Sequence, residues 1–548
     1  MDKQTSTDIW WKNGVIYQIY PRSFMDSNGD GIGDIKGIID KLDYLNDGTD
    51  NSLGVDAIWL SPIYPSPMKD FGYDISDYLD IDSMFGSLDD FRALLKEAHK
   101  RNIRIIMDLV INHSSDEHPW FIESRQSKDN PKRDWYLWQP AHKKRPNNWI
   151  SYFELHNAWW LDKATNEYYL GTFTKNQPEV NWRNEDLKKA MYHVIKYWFD
   201  MGIDGFRMDV VNWYIKDKSL RSNPWKITFS PPSLQKHIYD RSQPESHQIC
   251  KEIREITNEY NDKILIGEIY TNDVKEAVSY HGSNNDELHM AFNFNFLFQK
   301  WSARSFYDSI MDWYNLLPTN SWPNFTLSNH DQPRHYYRYK HGDETDARAK
   351  VAAAMLLTLK GTPFIYYGEE IGMTCEKIPK KSIQDPLGIK GWPIIKGRDT
   401  ERTPMQWDNT DYAGFSNTTP WLPVNKDYKH KNVESQKDDP DSLLSFYRSL
   451  IWLRKKTPCL SKGAIEFLIS KPNKILIYKR IHEQEHCIII LNFSNEIIHY
   501  PIKSNRKYNI LLSTNRKKDD SIELVNLHLN PYEVIIANHI DIYNEDLH

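Results

Sequence analysis

Cysteine is nearly missing from this chain: four residues in 548, at positions 250, 375, 459 and 487, with no paired spacing. That excludes a disulfide framework and a zinc ribbon, and it points to a reducing, cytoplasmic setting. Long hydrophobic runs are missing too. Residues 1–8 are polar and lead straight into Trp10 and Trp11, so neither a signal peptide nor a membrane span is expected. Nor does one sign of charge dominate: 69 Lys and Arg against 75 Asp and Glu give a net charge of −6. This leaves no electrostatic footprint for nucleic acid or an anionic membrane, and a neutral small molecule is the natural partner.

What is present is a large soluble chain, 40% hydrophobic and 26% charged, long enough for two or three domains. Eight short apolar runs recur at 15–20, 57–61, 104–111, 203–208, 263–267, 290–294, 324–327 and 363–367. Stretches with helical periodicity, such as 88–101 and 186–200, lie between them. Alternation of this kind predicts a parallel sheet, and eight units predict a closed (β/α)₈ barrel, with an open doubly wound sheet as the alternative. The third and fourth runs lie far apart. Too long for a structureless loop, the interval predicts an inserted domain over 114–181, which leaves 1–113 and 182–459 to the barrel. Beyond 460 the pattern turns to short alternating strands, predicting an antiparallel β domain over 460–548.

Three acidic residues stand where apolar runs stop: Asp209 after Gly-Phe-Arg-Met, Glu268 after Ile-Leu-Ile-Gly, and Asp331 after Ser-Asn-His. The C-terminal ends of barrel strands share one face, so these acids are expected to converge there. Carboxylates without a phosphate loop suit glycoside chemistry, in which one attacks the anomeric carbon and another protonates the leaving oxygen.

Asp108-Leu-Val-Ile-Asn-His113, Gly205-Phe-Arg-Met-Asp209, Gly267-Glu268 and Asn329-His-Asp331 resemble the four signature regions of the α-amylase superfamily, glycoside hydrolase family thirteen. Gln177-Pro-Glu-Val-Asn181 and the segment 397–407 resemble its α-glucosidase and oligo-1,6-glucosidase branch, although many members carry Asp where this chain has Glu179. The resemblance runs from Trp10 through the C-terminal domain. It implies a barrel, an inserted domain after the third strand and a C-terminal β-sandwich.

On that footing Asp209 is the expected nucleophile, kept ionised by Arg207, and Glu268 the acid/base, raised by apolar surroundings and neighbouring carboxylates. Asp331 is expected on sugar hydroxyls together with His113 and His330. The segment Asp70-Phe-Gly-Tyr73 resembles the motif that closes the glucose pocket in exo-acting members. It implies Asp70 and Arg398 on remote hydroxyls, Tyr73 beneath the ring and Phe173 on the pocket wall. The turn Asp26-Ser-Asn-Gly-Asp-Gly-Ile-Gly-Asp34 offers oxygens at alternate positions, as does the first half of a calcium loop. Its resemblance implies a structural calcium or magnesium ion on Asp26, Asn28, Asp30, Asp34 and the Ile32 carbonyl.

The activity so implied is removal of terminal α-linked glucose from short α-glucosides. The alternatives are a narrow oligo-1,6-glucosidase, a trehalose-phosphate hydrolase or a sucrose-converting relative; transglucosylation can accompany any of them. A catalytically dead transporter-partner ectodomain would need a membrane span and lost carboxylates, and this chain has neither feature. Val210, directly after the expected nucleophile, resembles the choice associated with α-1,6 cleavage, while the long segment 212–244 resembles that of enzymes with broad linkage tolerance.

Overall fold

The structure is a computed structural model that describes residues 9–539 apart from 142–143, 227–233 and 503–506. The polar start at 1–8 and the last stretch of the C-terminal domain, 540–548, lie outside the described residues. Each apolar run becomes a strand: β1 (Ile16–Ile19), β2 (Ala57–Leu60), β3 (Arg104–Leu109), then β7 (Gly205–Met208), β8 (Ile264–Gly267), β9 (Met290–Ala291), β10 (Asn324–Thr326) and β11 (Thr362–Tyr366). All pair in parallel, in the order β10-β11-β1-β2-β3-β7-β8-β9. Strands covered on both faces read as continuous apolar runs, and for that reason composition alone located them.

The run at 290–294 is shorter as a strand than its apolar character suggests. Only Met290 and Ala291 pair with β8; Asn293 then accepts the Phe296 amide and starts the helix Phe294–Leu297. As a result β9 and β10 share no ladder among the described strands. A side chain spans the seam, with Asn324 Nδ2 donating to Ala291 O at 2.8 Å.

Strand alternation fills the barrel and also sets its chemistry. Ile16, Trp59, Ile106, Ile266, Met290 and Phe364 form one buried interior cluster. Two residues further along the same inward rows come Gln18, Asp108 and Glu268; on β7 the inward row is Gly205, Arg207 and Asp209. Gly205 carries no side chain because the interior leaves none room: a Cβ there would sit 2.3 Å from Ile264 Cγ2. The outward rows pack against helices such as Leu88–Lys100, started by a Ser87/Asp90 capping box, and Glu185–Met201, capped by Asn184 and ended by Gly202 at φ 111°.

Between β3 and β7 the chain folds a small sheet of β4 (Trp138–Pro140), β5 (Trp159–Asp162) and β6 (Glu167–Leu170), antiparallel in the order β4-β6-β5. It returns to the barrel through a bridge between His113 and Glu179.

After the helix Leu443–Lys456 come β12 (Ala464–Phe467), β13 (Ile475–His482), β14 (Glu485–Asn492), β15 (Ile498–His499), β16 (Lys507–Ser513), β17 (Ser521–Glu523), β18 (His528–Leu529) and β19 (Val534–His539). Six form an antiparallel sheet ordered β12-β13-β14-β19-β16-β17, and β15 pairs with β18. Alternation again assigns the faces. Ile475, Ile477, Ile488 and Ile490 lie in this domain's own core, whereas Leu476, Tyr478, Cys487 and Ile489 join the main core. There Cys487 meets Cys459, Sγ to Sγ 2.7 Å, both as free thiols. No helix among the described residues is long and apolar enough to cross a membrane.

Candidate active site

One guanidinium organises the acids. Arg207 donates from Nη1 to Asp108 and to Asp209, each at 2.7 Å, and from Nη2 to Glu268 at 2.5 Å. The register explains this: Arg207 pairs with Asp108 across β3 and β7, and Met208 pairs with Gly267 across β7 and β8, which brings Asp209 and Glu268 level. Arg207 and Asp108 are 1% exposed, Asp209 and Glu268 6%.

Three buried carboxyls around one cation cannot all ionise cheaply. Burial, together with Glu268 and Asp108, pushes Asp209 well above the ordinary carboxylate range, with Arg207 pulling the other way. Burial likewise raises Asp108 to about 6. Arg207 lowers Asp209, as expected of a cation beside it, but it is divided among three acids and burial outweighs it. In the free enzyme Asp209 and Glu268 lie within hydrogen-bond reach of one another.

Asp331 sits in a different field. Burial would raise it, but His330, Arg398 and Arg402 outweigh burial and hold it well below the usual range. Arg402 Nη2 lies 2.7 Å from Asp331 Oδ1 and Arg398 Nη1 3.4 Å from it. Arg398 is chiefly bound elsewhere, to Asp70 at 2.7 Å and Asp385 at 2.6 Å through Nη2. Asp70 and Arg398 of this triad line a cavity of ≈ 310 Å³ walled by Tyr152, Phe153, Phe173, Val210, Trp213 and Tyr270. The same cavity takes in Tyr73, His113, Asp209, Glu268 and Asp331.

The histidines are engaged by the protein. Gln18 donates to His330 Nδ1 at 2.8 Å, and His330 Nε2 meets the Tyr73 hydroxyl at 2.7 Å; that hydroxyl donates to Asp108 at 3.1 Å. The rings of Tyr73 and His330 stack at 5.4 Å. His113 Nε2 lies 3.0 Å from Tyr73 O and 3.1 Å from the Gln177 amide nitrogen. Burial lowers both histidines to about 3, so they are neutral imidazoles at ordinary pH.

Several participants were not singled out from sequence. Asp108 and Gln177 stood inside the quoted motifs, but their partners lie 99 and 107 residues away. Tyr152, Phe153, Trp213 and Tyr270 gave no local signal at all. Val210 adopts φ 38°, ψ 50°, a left-handed conformation that a β-branched residue adopts only under strain, and its amide approaches Glu268 at 3.3 Å.

At the turn 26–34, Asp26 accepts the amides of Asn28, Gly29 and Gly31, and Asp34 accepts Ser27 and Gly37. Among the described residues no cluster of three or more His, Cys, Asp or Glu is gathered for a metal. The loop would complete a shell only with the Asn28 amide and the Ile32 carbonyl, an all-oxygen set that fits a hard cation in kind.

Residues 18–463 match the family model described as alpha amylase, catalytic domain. The chain is 42% identical over 565 residues to an oligo-1,6-glucosidase of Parageobacillus thermoglucosidasius, covering 96% of this chain and 98% of that one. It is 40% identical to a probable alpha-glucosidase of Rhizobium meliloti, covering 89% and 90%. Among solved structures, an alpha-glucosyl transfer enzyme, XgtA, superposes with TM-score 0.90 at 36% identity over 97% of this chain and 99% of the other. The trehalulose synthase MutB from Pseudomonas mesoacidophila superposes with TM-score 0.88 at 34% identity, covering 97% and 99%.

Proposed function

Since this chain belongs to the alpha-amylase family of glycoside hydrolases, we propose that it is a retaining, exo-acting α-glucosidase that removes the terminal non-reducing glucose from short α-glucosides. The observation that carries this is the pairing of Asp209 and Glu268 on a single guanidinium. Acids this close leave no space between them for the water of an inverting reaction, whose carboxyls stand roughly 6.5–9.5 Å apart.

Asp209 attacks the anomeric carbon while Glu268 delivers its proton to the glycosidic oxygen; the C–O bond breaks and a β-glucosyl ester forms on Asp209. Water then gives a proton to Glu268 and its oxygen to the anomeric carbon, which frees Asp209 and releases α-glucose. Arg207 steadies the carboxylate that ionises at each stage. Asp331, held as a carboxylate by Arg402, takes sugar hydroxyls and favours the positive ring of the transition state. At the closed end Asp70 and Arg398 address the remote hydroxyls, Tyr73 underlies the ring and Phe173 walls it. His113 and His330 act as neutral donors and acceptors. A pocket ended by Asp70 and Arg398 would release one glucose at a time.

The turn at Asp26, Asn28, Asp30, Ile32 and Asp34 would hold calcium or magnesium, which would supply structural charge compensation and no part of the reaction. Four cysteines free of disulfides support a cytoplasmic setting.

The deciding experiment is proton NMR of early product from maltose, isomaltose, trehalose and sucrose. Glucose released first as the α-anomer, together with a shortened acceptor sugar, supports the reading; β-glucose, or no glucose from any of them, overturns it.

A further inference from the structure

Beside the glucose-sized cavity lies a second hollow of ≈ 190 Å³, which shares the walls Tyr152 and Tyr270 with the first. Tyr270 stands two residues beyond Glu268, so the hollow lies on the side toward which a leaving group would extend. Its lining is unusual in charge. Aromatic rings of Phe294, Phe298 and the shared tyrosines stand beside Lys226, His237 and Arg241, and no acidic side chain lines it among the described residues.

Elsewhere in the site each arginine is answered by carboxylates: Arg207 by three, Arg398 by Asp70 and Asp385, and Arg402 by Asp331. The hollow breaks that rule. His237 is matched by Asp240 at 2.7 Å. Arg241 has no ion pair among the described residues; its guanidinium rests 5.2 Å from the Trp213 ring and 5.7 Å from the Tyr270 ring, and its buried Nη1 has no hydrogen-bond partner. Lys226 is exposed and likewise unpaired among the described residues. Asp240 feels the charge of Arg241 but makes its close contact with His237, which leaves Arg241 Nη1 as a donor for an incoming anion.

We propose that this hollow recognises an anionic leaving group, so that favoured substrates are α-glucosides whose second unit carries a phosphate or a carboxylate. This rests on reading the adjoining cavity as the glucose site. The rings would cover the apolar face of the second unit, and Arg241 with Lys226 would take its charge. Phosphate and carboxylate share this chemistry. They differ in charge and geometry, so substrates must separate them.

The test compares kcat/KM for four substrates: maltose, maltitol, maltobionate, and maltose carrying phosphate on its reducing glucose. At low ionic strength we expect the phosphate or carboxylate substrate to exceed its neutral counterpart by about tenfold, with the advantage shrinking as salt screens the charges. Arg241→Gln should bring that anionic-to-neutral ratio toward one, and Lys226→Gln, at an exposed position, should lower it in the same direction. Whichever anion gains more identifies the source. Equal kcat/KM for anionic and neutral substrates in the wild type would overturn the inference, as would a ratio unmoved by either variant. Failure on all four substrates would instead strike the α-glucosidase reading.

Discussion

Glu179 and Lys216 form an ion pair in which each side chain is only 1% exposed. Glu179 belongs to the returning edge of the inserted domain, and Lys216 follows β7 and also donates to the carbonyl of Trp213, a wall of the glucose cavity. The pair therefore ties the inserted domain to the pocket. It also gives the departure of Glu179 from the more common Asp a physical reason: the longer side chain reaches Lys216 while its other oxygen accepts the Thr172 amide at 3.2 Å.

Breaking that pair from one side leaves an uncompensated buried charge, which costs about 3–5 kcal/mol. Glu179→Gln should lower stability by that order and raise KM through Trp213. The double variant Glu179→Gln/Lys216→Met should recover part of the stability. Denaturant midpoints with KM for a neutral disaccharide provide the check; equal loss in single and double variants would show that the ion pair is not the cause.

Asp209→Asn should reduce turnover by on the order of 10⁴-fold with the fold intact, as removal of a nucleophile does. In Asp209→Gly, azide should restore part of the activity and yield β-glucosyl azide. Product stereochemistry decides the matter. An α-azide, or near-normal turnover by Asp209→Asn, would assign the nucleophile elsewhere.

The pH profile should report the ionisation of Asp209. Burial, with Glu268 and Asp108, raises Asp209, and a nucleophile must be ionised to attack, so kcat/KM should climb as pH rises past the ordinary carboxylate range. Glu268→Gln, which removes one of the carboxylates that raise Asp209, should move this limb to lower pH. Because His113 and His330 are lowered to about 3, no limb near the usual histidine value belongs to them. A low-pH limb left in place by Glu268→Gln would contradict this assignment.

Val210 lines the cavity directly after Asp209. Val210→Thr should raise the ratio of α-1,4 to α-1,6 activity by a factor corresponding to about 1–3 kcal/mol at most. Side-by-side kcat/KM on maltose and isomaltose measures it. An unchanged ratio would hand linkage choice to the segment after β7.

Chelation should lower the melting temperature while kcat at moderate temperature is retained, because an ion bound only by the folded state stabilises it by mass action. The loop also holds a neighbouring segment: Ser416 Oγ donates to Asp26 at 2.6 Å, and the Trp421 amide donates to Gly31 O at 3.0 Å. Equal melting curves before and after verified metal removal would argue against a structural ion.

The barrel was legible because its strands are buried on both faces, and a strand of that kind writes itself as an apolar run. The acids at the strand ends were legible for the same reason, since each interrupts such a run. What composition could not reveal are relations across the fold. Asp108 looks like any strand residue until Arg207 is placed beside it. Gln18 finds His330 312 positions away, and Cys459 meets Cys487 though their spacing suggests nothing. The upward pull on Asp209 was not legible, because the number of acids sharing Arg207 is a property of three strands together. The run at 290–294 ends early as a strand because the Asn293 side chain starts a helix, a role that its place in an apolar run does not announce.

The seam between β9 and β10 gives the barrel a definite place to open. Seven of its contacts between neighbouring strands are ladders of peptide hydrogen bonds, while the eighth rests on the side chain of Asn324. A cylinder slit along one line resists bending everywhere except at the slit. Amide hydrogens flanking Met290–Ala291 and Asn324–Thr326 should accordingly exchange ahead of those in β1 to β3, and the first opening of the closed sheet is a parting of two edges, with Glu268 on the strand beside one of them.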